Sequence, residues 1–117
     1  MNAAPSADMS SGKLSVELMS AVTDRTAYFD CIVDANDFAE VLGIEILAFR
    51  EQIGSTPPPP PALEQNLARW SYDAGSDSLY IWLANGIKAQ RQHKCRGLAF
   101  LDKEGVAGKI EVSLTLG

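Results

Sequence analysis

Short stretches of alternating apolar and polar residues recur along this chain of 117 residues. Leu14, Val16 and Leu18 alternate with polar positions, which is the period of a strand with one buried face. Other apolar stretches, rich in β-branched and aromatic residues, occur at 27–33, 42–49, 79–83, 97–101 and 110–116. Turn-forming residues separate them, at 34–37, 73–77, 85–86 and 102–105. Many short strands joined by tight turns predict a mainly β, antiparallel fold, α+β at most.

Five consecutive prolines at 57–61 interrupt the strand pattern. A run of prolines has no amide donors and favours an extended polyproline II rod. We interpret it as a linker between the segments 13–56 and 62–117, and the alternative is a ligand for an aromatic-lined groove. Residues 1–12 are small and polar, and they are predicted to form a disordered tail.

The segment that follows the prolines has the spacing of a helix. Leu63 and Leu67 lie four positions apart within 62–69, so they share one helical face. This spacing predicts one short helix of two turns.

The chain also matches itself weakly. A shift of 65 residues places 14–18 on 79–83, and one further residue places 44–46 on 110–112. We interpret this as two small antiparallel β repeats packed as a pseudo-twofold pair, which buries faces that neither repeat could bury alone. The alternative is that any β protein matches itself loosely.

Two motifs resemble those of a known family. Residues 72–83 read YDAGSDSLYIWL, and residues 43–47 read GIEIL. They resemble the opening signature Y-D-x-x-x-D-x-L-Y-I-x-L and the closing G-I-E-I-L of a small bacterial family, domain of unknown function 2283. The resemblance covers most of residues 8–116 as two imperfect copies, with Ala7 where the first copy would carry its tyrosine. It implies a small β-rich fold without assigned catalytic residues and, because such families can accompany small toxin-like genes, an antitoxin-like role.

The first motif also has a direct structural interpretation. Asp73 and Asp77 are predicted to close a turn through bonds from side chain to backbone. Tyr80 and Trp82 point to the face of the strand opposite to its aliphatic residues. Trp82, which departs from the family signature, is either covered by the other repeat or exposed for a partner.

Charge is unevenly distributed along the chain. The net charge is −5, and residues 1–56 hold nine acidic and only three basic side chains. An acidic protein repels nucleic acid and suits a cationic partner. We therefore expect a non-enzymatic protein-binding module of the antitoxin, immunity or inhibitor type that docks an acidic face on a basic protein. The predicted contact residues are Asp30, Asp34, Asp37, Glu40 and Trp82. The alternative is an acidic face that only keeps the protein soluble.

The basic residues cluster in the second segment and carry the alternative function. Lys88, Arg91, Lys94 and Arg96 fall within nine residues that contain no acid. They could hold a small anionic ligand or a nucleotide in a cleft between the repeats. The segment has no interleaved aromatic residue for base stacking, which argues against nucleic acid as a partner.

The pattern indicates no catalytic, metal or cofactor site. His93 is the single histidine and lies among bases, so a weak enzyme that uses it is only a third hypothesis. Cys31 and Cys95 lack the spacing of a metal site, and we expect them to be small buried hydrophobes in a reducing cytoplasm. No apolar run approaches the roughly 20 residues of a membrane span, and no secretory signal is recognised. Dimerisation through sheet edges stays open.

Overall fold

The computed structural model describes residues 12–19, 22–37, 40–54, 69–83 and 91–114. In chain order, their elements are β1 (Lys13–Glu17), β2 (Arg25–Ala35), β3 (Val41–Ile46), α1 (Phe49–Ile53), β4 (Arg69–Asp73), β5 (Ser78–Trp82), β6 (Arg91–Leu101) and β7 (Ala107–Ser113). Every strand pair among them is antiparallel. The expectation of a mainly β, antiparallel fold is therefore confirmed.

The seven strands form one curled sheet in the order β1-β7-β6-β2-β3-β5-β4. Its centre is the ladder between β2 and β6, which are 11 residues long and pair from Arg25 with Leu101 to Ala35 with Arg91. Only the last residues of β2 pair with β3, and only the second half of β6 pairs with β7. Since β2 and β6 come from opposite sides of the prolines, both segments of the chain contribute to the same sheet.

Without β4, the strand order is β1-β7-β6-β2-β3-β5, and this order of six strands is symmetric about its centre. β1, β2 and β3 hold the positions that β5, β6 and β7 hold when the order is read backwards. Leu14 pairs with Val112 in one half, and Leu79 pairs with Ile46 in the other. This correspondence is compatible with the internal repeat and its pseudo-twofold axis, which stay predictions.

The inner face of the curled sheet carries the core. Alternate residues of the strands point inward, so strand period and burial agree. The largest fully buried side chains on the strands are Val16, Val33, Ile44, Ile46, Leu79, Ile81, Leu101, Ile110 and Val112. Phe49 of α1 is buried with them. Gly97 is required at its position because the ring of Phe29, its partner across the ladder, occupies the space that a Cβ would need.

Some sequence expectations differ from the structure or lie outside the described residues. The apolar stretch 42–49 is a strand only to Ile46, because Ala48 takes a left-handed backbone and Phe49 begins α1. The strand predicted at 97–101 extends back to Arg91, so most of the basic segment is itself a strand. The tail at 1–11, the prolines at 57–61, the predicted helix up to 68 and the turn at 85–86 lie outside the described residues.

Candidate functional site

One cross-strand row on the outer face of the sheet contains two of the predicted contact residues. Gln92, Asp34, Gly43, Trp82 and Arg69 are successive partners across β6, β2, β3, β5 and β4. Directly paired residues of an antiparallel sheet project on the same face. Asp34 and Trp82 therefore lie on the same face with only β3 between their strands. We call these five residues the Asp34 row.

Asp34 is a buried carboxylate with two side-chain donors. It is only 8% exposed, although it points away from the core. The Tyr80 hydroxyl donates to Oδ2 at 2.9 Å, and Gln92 Nε2 donates to Oδ1 at 3.1 Å. Tyr80 reaches the carboxylate across Gly43, where a Cβ would clash with the Tyr80 hydroxyl. A glycine at 43 is therefore what allows the network to form.

The same environment fixes the protonation state of Tyr80. Burial, the hydrogen bond to Asp34 and the charges of Asp34 and Glu45 all raise the pKa of its hydroxyl well above the usual 10.0. Tyr80 therefore remains a hydrogen-bond donor at neutral pH. The network holds the Asp34 carboxylate in place.

Trp82 lies beside this network. Its ring meets that of Tyr80 edge to face, with centroids 5.0 Å apart and planes at 68°. The side chain remains 37% exposed. The indole thus packs against Tyr80 and remains partly exposed to solvent, an arrangement common in aromatic anchors of protein interfaces.

The turn between β2 and β3 adds two acidic residues at the same end of the sheet. The Asn36 amide hydrogen bonds to the Glu40 carbonyl, and the two side chains and the Glu40 amide close the turn with bonds of 3.0 Å. Asp37 lies between them and forms an exposed ion pair with Arg91, with Nε and Oδ1 3.3 Å apart. Asp34, Asp37, Glu40 and Trp82 therefore converge at one end of the sheet.

Asp30 is placed differently from the other predicted contact residues. It lies four residues before Asp34 on β2 and pairs with Arg96 of β6, with Oδ1 and Nε 3.5 Å apart. Its backbone is held by Gln52 of α1, whose side chain accepts from the Asp30 amide at 2.7 Å and donates to its carbonyl at 3.0 Å. The side chain of Gln52 thus occupies an edge of β2 that β3 leaves unpaired.

A cleft of about 580 Å³ opens at this position. It is lined by Asp30, Cys31, Ile32, Glu45, Leu47, Gln52, Lys94, Cys95 and Arg96. Two of the four predicted anion-binding residues, Lys94 and Arg96, thus line it. Arg91 pairs with Asp37 outside the cleft, and Lys88 lies outside the described residues.

The motif residues 72–77 have structural roles. Asp73 closes the turn as predicted, accepting from the Gly75 amide at 3.0 Å and the Ser76 hydroxyl at 3.1 Å. Asp77 instead caps α1, accepting from the Arg50 amide at 3.0 Å and from the Tyr72 hydroxyl at 2.5 Å. The hydrogen bonds from Tyr72 and the Arg50 backbone lower the pKa of the Asp77 carboxyl. Sequence reasoning missed this role because α1 lies 24 or more residues earlier in the chain.

The described part of the chain contains no cluster of three or more His, Cys, Asp or Glu residues that could hold a metal ion. Its helix is too short and polar to cross a membrane. His93 is half-buried on β6 opposite Val33.

Comparison of the chain with models of protein families, with curated proteins and with solved structures finds no match. The resemblance to the domain of unknown function 2283 therefore stays a prediction.

Proposed function

We propose that this chain is a non-enzymatic protein-binding module of the antitoxin, immunity or inhibitor type, which docks on a basic protein partner in the cytoplasm. The observation that carries the proposal is the position of the partly exposed Trp82, in the same row as Asp34 and at the same end of the sheet as the turn that holds Asp37 and Glu40. We call Trp82, Asp37 and Glu40 the docking surface. An aromatic anchor supplies contact area, and the surrounding carboxylates select a cationic partner.

Rigidity of the docking surface supports this function. Tyr80 holds Trp82 by ring contact and is itself held by its bond to Asp34. An anchor fixed before binding loses less conformational entropy when the partner arrives. The buried network therefore contributes to affinity without contacting the partner.

The ion pair between Asp37 and Arg91 could be replaced by one between Asp37 and a basic partner. Asp37 and Arg91 are both exposed, and exposed ion pairs contribute little to stability. A basic partner can therefore replace Arg91 beside Asp37 at low cost. The net charge of −5 would accelerate association with such a partner at low ionic strength.

The experiment is affinity capture of the tagged full chain in its host, with matched variants. Trp82→Ala is compared with Tyr28→Ala, since Tyr28 is 72% exposed on the same face. Asp37→Asn with Glu40→Gln is compared with Glu104→Gln, in the turn at the opposite end of the β2–β6 ladder. We expect one basic protein to be retained by the wild type and by both controls, lost by the docking-surface variants, and released as salt rises. Retention that is equal in all variants, or that does not respond to salt, would contradict the proposal.

A second candidate function rests on the cleft. Lys94 and Arg96 line a volume suited to a small ligand, so a small anionic ligand or nucleotide could be held there. The test is thermal stabilisation by a panel of anionic metabolites, with Lys94→Ala and Arg96→Ala compared with Lys103→Ala in the exposed 102–105 turn. Stabilisation that only the two cleft variants lose would favour this function over protein docking. A flat profile across the panel would exclude it.

A further inference from the structure

We infer that Cys31 and Cys95 form a thiol oxidation site, which a small disulfide that enters the cleft converts into a cross-strand disulfide. The inference rests on the register of the central ladder and on the lining of the cleft, and it is independent of the proposed function.

The register brings the two cysteines together. Cys31 and Cys95 are direct partners in the β2–β6 ladder, and neither is in a disulfide. The Cα atoms of direct antiparallel partners are about 4.5 to 5.5 Å apart. A disulfide accepts Cα separations of about 4.4 to 6.8 Å, so the backbone needs little adjustment.

The cleft reaches both cysteine residues. Each cysteine lines it, with 5% of Cys31 and 7% of Cys95 exposed. A volume of about 580 Å³ is ample for a disulfide of low molecular weight. Both cysteines also belong to the hydrophobic core, so the cleft is the route by which we expect a small reagent to reach their sulfur atoms.

The surroundings assign different roles to the two thiols. Burial, together with the neighbouring Cys95 and Asp30, raises the pKa of the Cys31 thiol to about 12, so Cys31 is a poor first nucleophile. We assign the first attack to Cys95 and the second to Cys31.

The reaction proceeds in two exchange steps. In the first, the Cys95 thiol loses its proton and its sulfur attacks one sulfur of the small disulfide, whose other half leaves as a thiolate and takes up that proton. In the second, the Cys31 sulfur attacks the Cys95 sulfur of the mixed disulfide and releases the remaining half as a second thiol. Two protein thiols are oxidised to one disulfide, and one small disulfide is reduced to two thiols.

The product would join the two segments of the chain. The cysteines are 64 positions apart, one on each side of the prolines. A cross-link that closes so long a loop restricts the unfolded chain. The oxidised protein should therefore melt at a higher temperature than the reduced protein, and a dithiol reductant should reverse the shift.

The test exposes the reduced full chain, under native conditions, to 2-hydroxyethyl disulfide, followed by alkylation of the remaining thiols and mass analysis. We expect a monomer that has lost two hydrogen atoms, with a Cys31–Cys95 cross-linked peptide. In Cys31→Ala, Cys95 should accumulate as a stable mixed disulfide, and Cys95→Ala should react far more slowly. If either variant fails to fold, the position of the mixed disulfide at early times in the wild type replaces it.

Three results would overturn the inference. One is that both thiols remain open to alkylation after prolonged exposure. Another is that only intermolecular products or a doubly modified chain form. The third is that the cross-link appears no faster than the protein unfolds, because the reagent would then not be entering the cleft.

Discussion

At the scale of single residues, Asp34 shows how a sheet tolerates a buried charge on its outer face. An isolated carboxylate taken out of water is strongly destabilising, whereas one that accepts hydrogen bonds is tolerated. Here Tyr80 and Gln92 each serve one carboxylate oxygen. Removal of either donor should therefore lower the free energy of unfolding, because it leaves one buried oxygen of Asp34 without that hydrogen bond.

Tyr80→Phe should be destabilising by about 1 to 3 kcal/mol, because it removes one donor and leaves Asp34 Oδ2 buried without it. Equilibrium unfolding in urea measures the change. Tyr28→Phe is the matched control, since Tyr28 is 72% exposed and its hydroxyl is accessible to water. If the two substitutions change the free energy of unfolding equally, the Tyr80–Asp34 bond does not stabilise the protein.

Cys31 predicts a dependence of stability on alkaline pH. Burial first, then Cys95 and Asp30, raises the pKa of its thiol from 9.0 to about 12. Between these values the unfolded chain loses the proton and the folded chain keeps it, so the free energy of unfolding falls as pH rises, on the order of 1 kcal/mol per pH unit. Urea unfolding of reduced wild type and Cys31→Ala between about pH 8 and pH 10 should show a shallower decline in the variant. Parallel declines would mean that the thiol titrates normally in the folded state.

These residue contacts were beyond the reach of sequence analysis. Asp34 and Tyr80 are 46 positions apart, and Gln92 is 58 positions from Asp34. The face of the strand on which each residue lies could be predicted, but its hydrogen-bond partners depend on the order of the strands in the sheet. Gly43 offered the one local signal, since a glycine inside an apolar strand can mark the close approach of another group.

At the scale of elements, α1 illustrates a helix that depends on a distant residue. It has five residues, too short to be stable alone. Asp77 supplies the acceptor for its first amides, and Gln52 joins the helix to the unpaired edge of β2. Gly54, which forms the left-handed C-terminal cap, is a local signal for the end of the helix, but the acceptor for its first amides belongs to the turn before β5 and could not be predicted.

Substitutions at Asp77 should distinguish two contributions to stability, the capping of α1 by its side chain and the strain of its left-handed backbone. Asp77 has a φ of 54°, which glycine adopts without strain and alanine does not. Asp77→Ala should therefore lower the melting temperature most, Asp77→Gly less and Asp77→Asn least, since asparagine keeps an acceptor and tolerates this conformation. Thermal unfolding followed by circular dichroism gives the order. Equal losses for alanine and glycine would show that the backbone conformation adds nothing to the cap.

The Asp77 carboxyl also predicts a loss of stability in acid. The bonds from Tyr72 and the Arg50 amide lower its pKa below the usual 3.8. Its contribution is therefore complete above that value and declines as pH falls through the lower pKa of the folded state. The difference in melting temperature between wild type and Asp77→Asn should shrink as pH falls below 3.8. A difference that stays constant with pH would assign no role to the charge.

The strand β6 shows where element prediction failed. Residues 91–96 read RQHKCR, which has no alternation of apolar and polar residues that would indicate a strand. Pairing with β2 along its whole length makes it one. The alternating stretches of β1 and β7 and the apolar stretch of β5 predict those strands within one to three residues of their bounds.

At the scale of the whole molecule, the strong charge difference between the two segments does not become two separate faces. Asp30 pairs with Arg96 and Asp37 with Arg91, so acidic residues of the first segment meet bases of the second across the central ladder. The sequence could predict the charges but not their neighbours. What remains for a partner is the docking surface at one end of the sheet.

The central ladder also predicts that neither segment folds alone. β2 and β6 pair at 11 positions. The core contains side chains of both segments, so each segment helps to bury the core residues of the other. A chain ending before the prolines would expose that face of β2 and the edge normally covered by β6. Segments 1–56 and 62–117, expressed separately, should each lack a cooperative unfolding transition and show poorly dispersed amide resonances. When the two segments are mixed, the cooperative transition and the dispersed resonances should return, because the β2–β6 ladder can form without a covalent link between them. A single segment that unfolds cooperatively would show that the two halves are independent domains that associate. The pairing of β2 with β6 would then not be required for either half to fold.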